Sequence, residues 1–179
     1  MGINTGYLTA ATNKESDETY TPTYAVKPII KHISTFFDDN AIIWCPFDED
    51  DSSFVIELKK AGYNVIATHI KQGQDFFEYE PEQYDLIISN PPFSLKDKIL
   101  KRLDELGKPF AMLLPLPALQ GQKRFKYLQN CQALIFDKRI NYYKNKETKE
   151  VQKGVAFASI YICKDFLEKD LIFEILEVE

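Results

Sequence analysis

Short apolar runs alternate with polar, helix-patterned stretches along this chain. The runs at 41–45, 63–68, 85–89, 110–114 and 132–136 are apolar nearly throughout. Runs of that length without alternation are what strands buried on both faces look like, so they predict the parallel strands of an α/β sheet. The stretches between them carry a helical period. Ala25, Ile29, Ile33 and Phe36 recur at helical spacing, as do Val26, Ile30 and Phe37. Thr21 is the expected N-cap of that helix and Pro22 its first residue, with Pro28 expected to kink or restart it. A helix over 52–61 turns Phe54, Val55, Leu58 and Ala61 inward and ends at Gly62. Ser94 and Asp97 have the spacing of a capping box before Leu95, Ile99, Leu103 and Leu106, and Gly107 ends that helix. Residues 121–129 read as a short basic helix. The run 155–162 is expected to pair with 132–136 as an antiparallel hairpin at the sheet edge. The tail, 171–178, fits a strand or a helix equally well. Residues 1–19 are polar without a period and read as a flexible N-terminal segment, leaving 20–179 as a single domain.

The third strand ends in the most specific pattern of the chain, Ser89-Asn90-Pro91-Pro92-Phe93. Two prolines cannot continue a sheet ladder, so the strand stops there. Asn90 is then held at the carboxyl end of a central strand, where open α/β sheets place their ligands. An exocyclic purine amine is a poor nucleophile because its lone pair is delocalised into the ring. Two fixed acceptors on its hydrogens would localise that pair and aim it. The Asn90 side-chain oxygen is one such acceptor, and the Pro91 carbonyl is the other. Phe93 adds a flat apolar face for a base taken out of its helix. Asn is no general base, so this is positioning and polarisation. An ordinary strand-to-turn exit also uses Asn and Pro, and is the plainer reading of the same residues.

Asn90 to Phe93 after an apolar strand resembles the catalytic motif of S-adenosylmethionine-dependent amino-methyltransferases, above all the N6-adenine DNA methyltransferases. The resemblance covers about residues 20–163. It implies a Rossmann-like class I methyltransferase fold: a mostly parallel central sheet, helices on both faces and an antiparallel edge hairpin. It implies that Asn90, Pro91, Pro92 and Phe93 serve catalysis on the N6 amine of adenine in DNA. In this family a Thr-Pro before an amphipathic helix contacts the amino-acid end of the cofactor, here Thr21-Pro22. The loop after the first strand, from Pro46 and Phe47 to Asp48, has no glycine between Asn40 and Gly62. It is similar to a group of small phage-encoded adenine methyltransferases in which Pro-Phe-Asp replaces the glycines, and a carboxylate there suits the cofactor's ammonium group. Thr68 or His69, ending the second strand, takes the place of the usual ribose acceptor. Asp75 and Phe76 match the adenine-binding Asp-aromatic pair of the family, although Gly73 and Asp75 also favour a plain turn. A Lys-Arg-Ile-aromatic segment recurs in the family after the sixth strand.

Charge adds a direction to this layout. The net charge is −5, yet residues 1–90 carry 6 Lys and Arg against 15 Asp and Glu, while 121–154 carry 9 against 3. A basic segment in an acidic chain is a candidate phosphate-contacting face, or else a solvated lysine-rich loop. Lys123, Arg124, Lys138, Arg139, Tyr142 and Tyr143 are the candidate DNA contacts, in a minimal recognition segment near 120–154. The acidic run Asp48 to Asp51 reads as charge at a helix N-terminus rather than a metal site, because four adjacent carboxylates do not converge from one loop. No metal is expected. Cys45, Cys131 and Cys163 stand apart in or beside apolar runs and read as reduced thiols of a cytoplasmic protein. No stretch approaches the ~20 apolar residues of a membrane span, so no membrane partner is expected. Two other readings compete: an amino-methyltransferase acting on RNA or on a protein glutamine, and a catalytically silent module, which the glycine-free loop motivates.

Overall fold

The structure, a computed structural model, describes residues 19–152 and 157–178. The expected N-terminal segment therefore lies, but for residue 19, outside the described residues, as do positions 155 and 156 of the expected last strand. Among the described residues seven strands form one sheet: β1 (Ile42–Cys45), β2 (Asn64–Ala67), β3 (Leu86–Ser89), β4 (Phe110–Pro115), β5 (Gln132–Phe136), β6 (Ser159–Lys164) and β7 (Leu171–Glu174). Their order is β2-β1-β3-β4-β6-β5-β7. All pair in parallel except β6, which is antiparallel to both β4 and β5. The expected antiparallel pair is thus present as β5 with β6. The edge itself is taken by β7, from the tail whose pattern fitted strand and helix alike.

Among the described residues four helices accompany the sheet: α1 (Thr23–Phe36), α2 (Ser53–Lys60), α3 (Lys96–Leu106) and α4 (Phe125–Leu128). They cover both faces. Tyr161 of β6 donates its hydroxyl to the Ala25 carbonyl of α1 at 2.8 Å and meets Phe54 of α2 edge-on. Lys164, three residues on and so pointing to the opposite face, pairs with Asp104 of α3 at 3.4 Å. Both β3 and the first five residues of β4 are fully inside, which is why their sequences are continuous apolar runs. Trp44 is the largest fully buried side chain. It packs against Phe76 and Tyr84, with ring centroids 5.4 and 5.1 Å away.

Several local expectations change. Pro22, not Thr21, is the N-cap of α1, and the helix runs through Pro28 in one piece. Pro28 has no N–H to offer the carbonyl one turn back, but its ring is buried with the core face of the helix. Ser52 caps α2, accepting from the Val55 N–H at 3.2 Å, and Gly62, the expected end residue, takes a left-handed φ of 98°. Ser94 caps nothing. A single 3-10 turn, Phe93–Leu95, precedes α3, whose N-cap Leu95 has no side-chain acceptor. Asp97 instead meets Arg124. Only Phe125–Leu128 of the expected helix over 121–129 is helical.

Candidate active site

The strand order reverses at β1, which has β2 on one side and β3 on the other. Chains leaving adjacent strands toward opposite sides of a sheet open a crevice at the carboxyl ends. Here the crevice lies between the β1 exit, from Pro46 to Asp48, and the β3 exit, from Ser89 to Pro91. The two exits are joined by a hydrogen bond of 2.5 Å from the Ser89 hydroxyl to Asp48 Oδ2. Asp48 is 7 % exposed. Burial pushes its carboxyl up from 3.8 to about 6, against the opposing pull of hydrogen bonds from Ser89 and Ser52 and of the Lys146 charge.

On the β3 side, Asn90 is partly exposed, but its side-chain oxygen Oδ1 is buried and accepts no hydrogen bond from the described residues. A buried acceptor without a donor is uncommon and costs about 1–3 kcal/mol. Pro91 is buried and Pro92 half-buried. Phe93 is 8 % exposed, with Phe157 and Tyr142 meeting it edge-on at 5.2 and 6.3 Å.

On the β1 side, Phe47 leans on Phe76 at 4.9 Å, and Phe76 leans on Trp44. These rings form one aromatic wall continuous with the core. The Thr21 carbonyl accepts from the Ser53 hydroxyl at 2.6 Å, so Thr21-Pro22 is tied to the start of α2 beside the Pro46–Asp48 loop. The acidic run does not converge. Asp48 binds Ser89, Glu49 faces Lys71 at 3.5 Å, Asp50 pairs with Lys59 at 3.0 Å and Asp51 with Lys146. Among the described residues no group of three His, Cys, Asp or Glu could hold a metal ion.

Other expected contacts fall elsewhere. Thr68 is 1 % exposed, and its hydroxyl accepts from the Trp44 indole N–H at 2.8 Å. It belongs to the core and is no ribose acceptor, because β2 ends at Ala67 and turns the next side chain inward. His69 Nδ1 accepts from the Lys71 N–H at 3.2 Å and caps a 3-10 turn. Asp75 Oδ1 accepts from the Phe77 N–H at 3.0 Å, which is the turn that Gly73 and Asp75 favour; Phe76, its neighbour, does enter the aromatic wall.

The basic segment divides in two. Lys123, Lys138 and Arg139 are exposed. Lys123 lines a surface groove of about 400 Å³ with Ser94, Leu95, Asp97, Lys98, Lys101 and Tyr127. Arg124 is no phosphate contact. Its guanidinium donates to the carbonyls of Ala118 at 2.8 Å and Gln120 at 2.5 Å and pairs with Asp97, all within the protein. Tyr142 is no surface platform either. It is fully buried, and its hydroxyl donates to Ser159 Oγ at 2.8 Å, because it alternates inward behind Phe93. Tyr143 is half-buried and exchanges both backbone hydrogen bonds with Tyr20 at 2.9 Å. Lys146 crosses from this segment to Asp51 and lies over the Tyr20 ring at 5.9 Å. The basic segment thus reaches the β1–α2 loop. Ser89, Lys146 and Phe157 were not legible as site residues. Only Ser89 carried a signal, as the polar residue that ends a strand of aliphatic ones.

No protein-family model matches the chain, and no curated protein does. Solved structures do, among them these two. One is the methyltransferase subunit of a type I restriction-modification system from Streptococcus thermophilus, at 12 % identity and a TM-score of 0.51, over 92 % of this chain and 49 % of that one. The other is TrmN from Thermus thermophilus, at 13 % identity and a TM-score of 0.48, over 90 % of this chain and 52 % of that one. The chain spans about half the length of each. At such identity the likeness to the first is one of fold. With the sheet order above, it defines a Rossmann-like methyltransferase fold, mostly parallel with an antiparallel part.

Proposed function

We propose that the protein is an S-adenosylmethionine-dependent methyltransferase acting on the N6 amine of adenine in DNA. The observation that carries this reading is the buried, unpartnered Asn90 Oδ1 at the end of β3. An acceptor left without a donor at the switch point of such a sheet suits a ligand that brings an N–H. The residues present also fit the donor molecule. Asp48, buried where the two exits meet, offers a carboxylate to an ammonium group. Thr21 and Pro22 lie beside that loop, and Phe47 and Phe76 give the apolar wall that a purine or a ribose edge would meet.

S-adenosylmethionine supplies a methyl carbon on a sulfonium sulfur, and direct transfer exchanges that S–C bond for an N–C bond. The chain's part is orientation. Asn90 Oδ1 accepts one N6 hydrogen and the Pro91 carbonyl the other, which turns the nitrogen lone pair out of conjugation and toward the methyl carbon. The proton lost from N6 passes to water, since neither acceptor is a base. The Phe93 ring, braced edge-on by Phe157 and Tyr142, sides the flipped adenine. Lys123, Lys138 and Arg139, exposed like several neighbouring lysines, are the proposed cations for the phosphates, with no metal in the scheme.

The experiment is transfer of label from tritiated S-adenosylmethionine to unmethylated duplex DNA, total RNA and protein, followed by nucleoside analysis. Label in N6-methyladenine of DNA is expected. Label confined to RNA or to a protein glutamine would replace the substrate. A chain that binds no donor by calorimetry would be a silent module.

A further inference from the structure

The outer edge of the sheet has a pattern that the active site does not explain. Strand β7 pairs only with β5 among the described residues. The Asp170 carbonyl accepts from the Ala133 N–H at 2.7 Å and the Glu174 carbonyl from the Asp137 N–H at 3.1 Å, and the Leu176 N–H extends the pairing to Asp137 Oδ1 at 2.8 Å. Even-numbered residues therefore turn their backbone groups toward β5. Those of Leu171, Phe173 and Ile175 point out from the open edge. The same three residues carry the exposed side chains, at 49 %, 71 % and 71 %. On the other face Glu174 is engaged by His32 at 3.0 Å and Lys31 at 3.5 Å from α1.

Soluble proteins usually blunt an open edge with lysine, proline or a covering loop. This one presents a leucine, a phenylalanine and an isoleucine. Lys169 and Glu177, both exposed, flank them at the same two-residue spacing. Read at two-residue spacing along the sequence, the exposed positions are Lys169, Leu171, Phe173, Ile175 and Glu177, with Lys169 and Glu177 outside β7 at its two ends, and this order is complementary to itself when reversed.

We propose that β7 joins two copies of this chain by antiparallel pairing about a twofold axis through Phe173. In that register Phe173 meets Phe173, Leu171 meets Ile175, and Lys169 meets Glu177, the last two pairs each occurring twice. The outward backbone groups of 171, 173 and 175 then face one another as the hydrogen-bonded pairs of an antiparallel ladder. Moving the axis one residue either way sets Lys169 against Ile175, or Leu171 against Glu177. Apolar matching, charge complementarity and backbone alternation thus select one register, and an isologous contact of this kind closes as a dimer. Pairing continues a single sheet through both copies and leaves both active-site crevices at its surface. The proposal is independent of the methyl-transfer reading.

Sedimentation velocity over a concentration series tests it, on the full chain. The unaltered protein is expected to dimerise as concentration rises, and Phe173→Lys to stay monomeric with an unchanged circular dichroism spectrum. Lys169→Glu alone and Glu177→Lys alone place like charges opposite each other twice and weaken the dimer roughly tenfold. The two together restore it. A chain that is monomeric at every concentration overturns the proposal and leaves this edge to a different partner. So does a dimer that Phe173→Lys leaves intact, or a double reversal that fails to restore pairing.

Discussion

Asn90 and Asp48 face the same crevice with opposite burdens. Asn90 holds a buried acceptor without a donor, so replacing it removes a liability of the fold and an asset of the site. Asn90→Ala is expected to lower methyl transfer at least about a hundredfold, the scale of losing one preorganised hydrogen-bonding group. Donor affinity should stay within a few-fold by calorimetry, and the melting temperature should not fall. Loss of donor binding in a folded variant would contradict the division between the two strand exits. Asp48 has its proton held more tightly in the folded chain, to about 6, than its ordinary value of 3.8. Between those values the folded protein keeps a proton that the unfolded chain has released. Its contribution to stability is therefore fully present below about pH 4, falls as pH rises to about 6, and is flat above. Asp48→Asn is expected to abolish that slope and to stabilise the fold at neutral pH by up to about 3 kcal/mol, measured by denaturant unfolding across the range. The same change should weaken binding of a donor that carries an ammonium group.

One side chain ties the segment from Leu116 to Leu128 together. Its 3-10 turn and the four-residue α4 are too short to be stable alone. Arg124 binds the carbonyls of Ala118 and Gln120 and reaches Asp97 on α3. A side chain on Gly121 would sit 2.5 Å from the guanidinium carbon, so only glycine lets Arg124 lie there undisturbed. Arg124→Ala is expected to cost about 2 kcal/mol through the carbonyls and the carboxylate left without their donor. It should also speed amide exchange between 116 and 128 while the sheet amides stay protected. Gly121→Ala should act in the same direction and less strongly, because the guanidinium is the far end of a flexible side chain. The sequence pattern showed that this stretch was basic and short. It did not show that its arginine faced inward, because lysines and an arginine in one run look alike until a partner such as Asp97 is brought alongside.

The charge asymmetry along the chain becomes, in the folded molecule, an acidic β1–α2 loop and a basic segment that partly fold together through Lys146 and Asp51. Lys123, Lys138 and Arg139 are exposed, as are Lys126, Lys144 and Lys149 of the same segment. Replacing the first three with alanine is expected to weaken DNA binding at low salt. It should also reduce the slope of log affinity against log salt by about 0.9 for each duplex phosphate that is no longer neutralised. Arg124→Ala should leave that slope unchanged. A titration of binding against salt for both variants separates a surface cation from a structural one.

By itself the sequence determined the strands β1 to β5, the bodies of α1, α2 and α3 and the placement of Asn90 at a strand end. Those depend on local facts: continuous apolar runs, a proline pair, a glycine past a helix end. Tertiary structure alone decided that β6 lies between β4 and β5 and that the tail forms the edge. Periodicity specifies that a face is buried, not which neighbour buries it. It was tertiary packing, too, that turned Thr68 toward Trp44, set Tyr142 behind Phe93 and joined Asp48 to Ser89 across 41 residues of chain. Each of these is a choice between two faces or two partners of the same residue type. Gln152 and Glu174 also carry a buried acceptor atom without a hydrogen-bond partner, so it is the position of Asn90 at the carboxyl end of β3, fixed by the packed sheet, that distinguishes the crevice from the core.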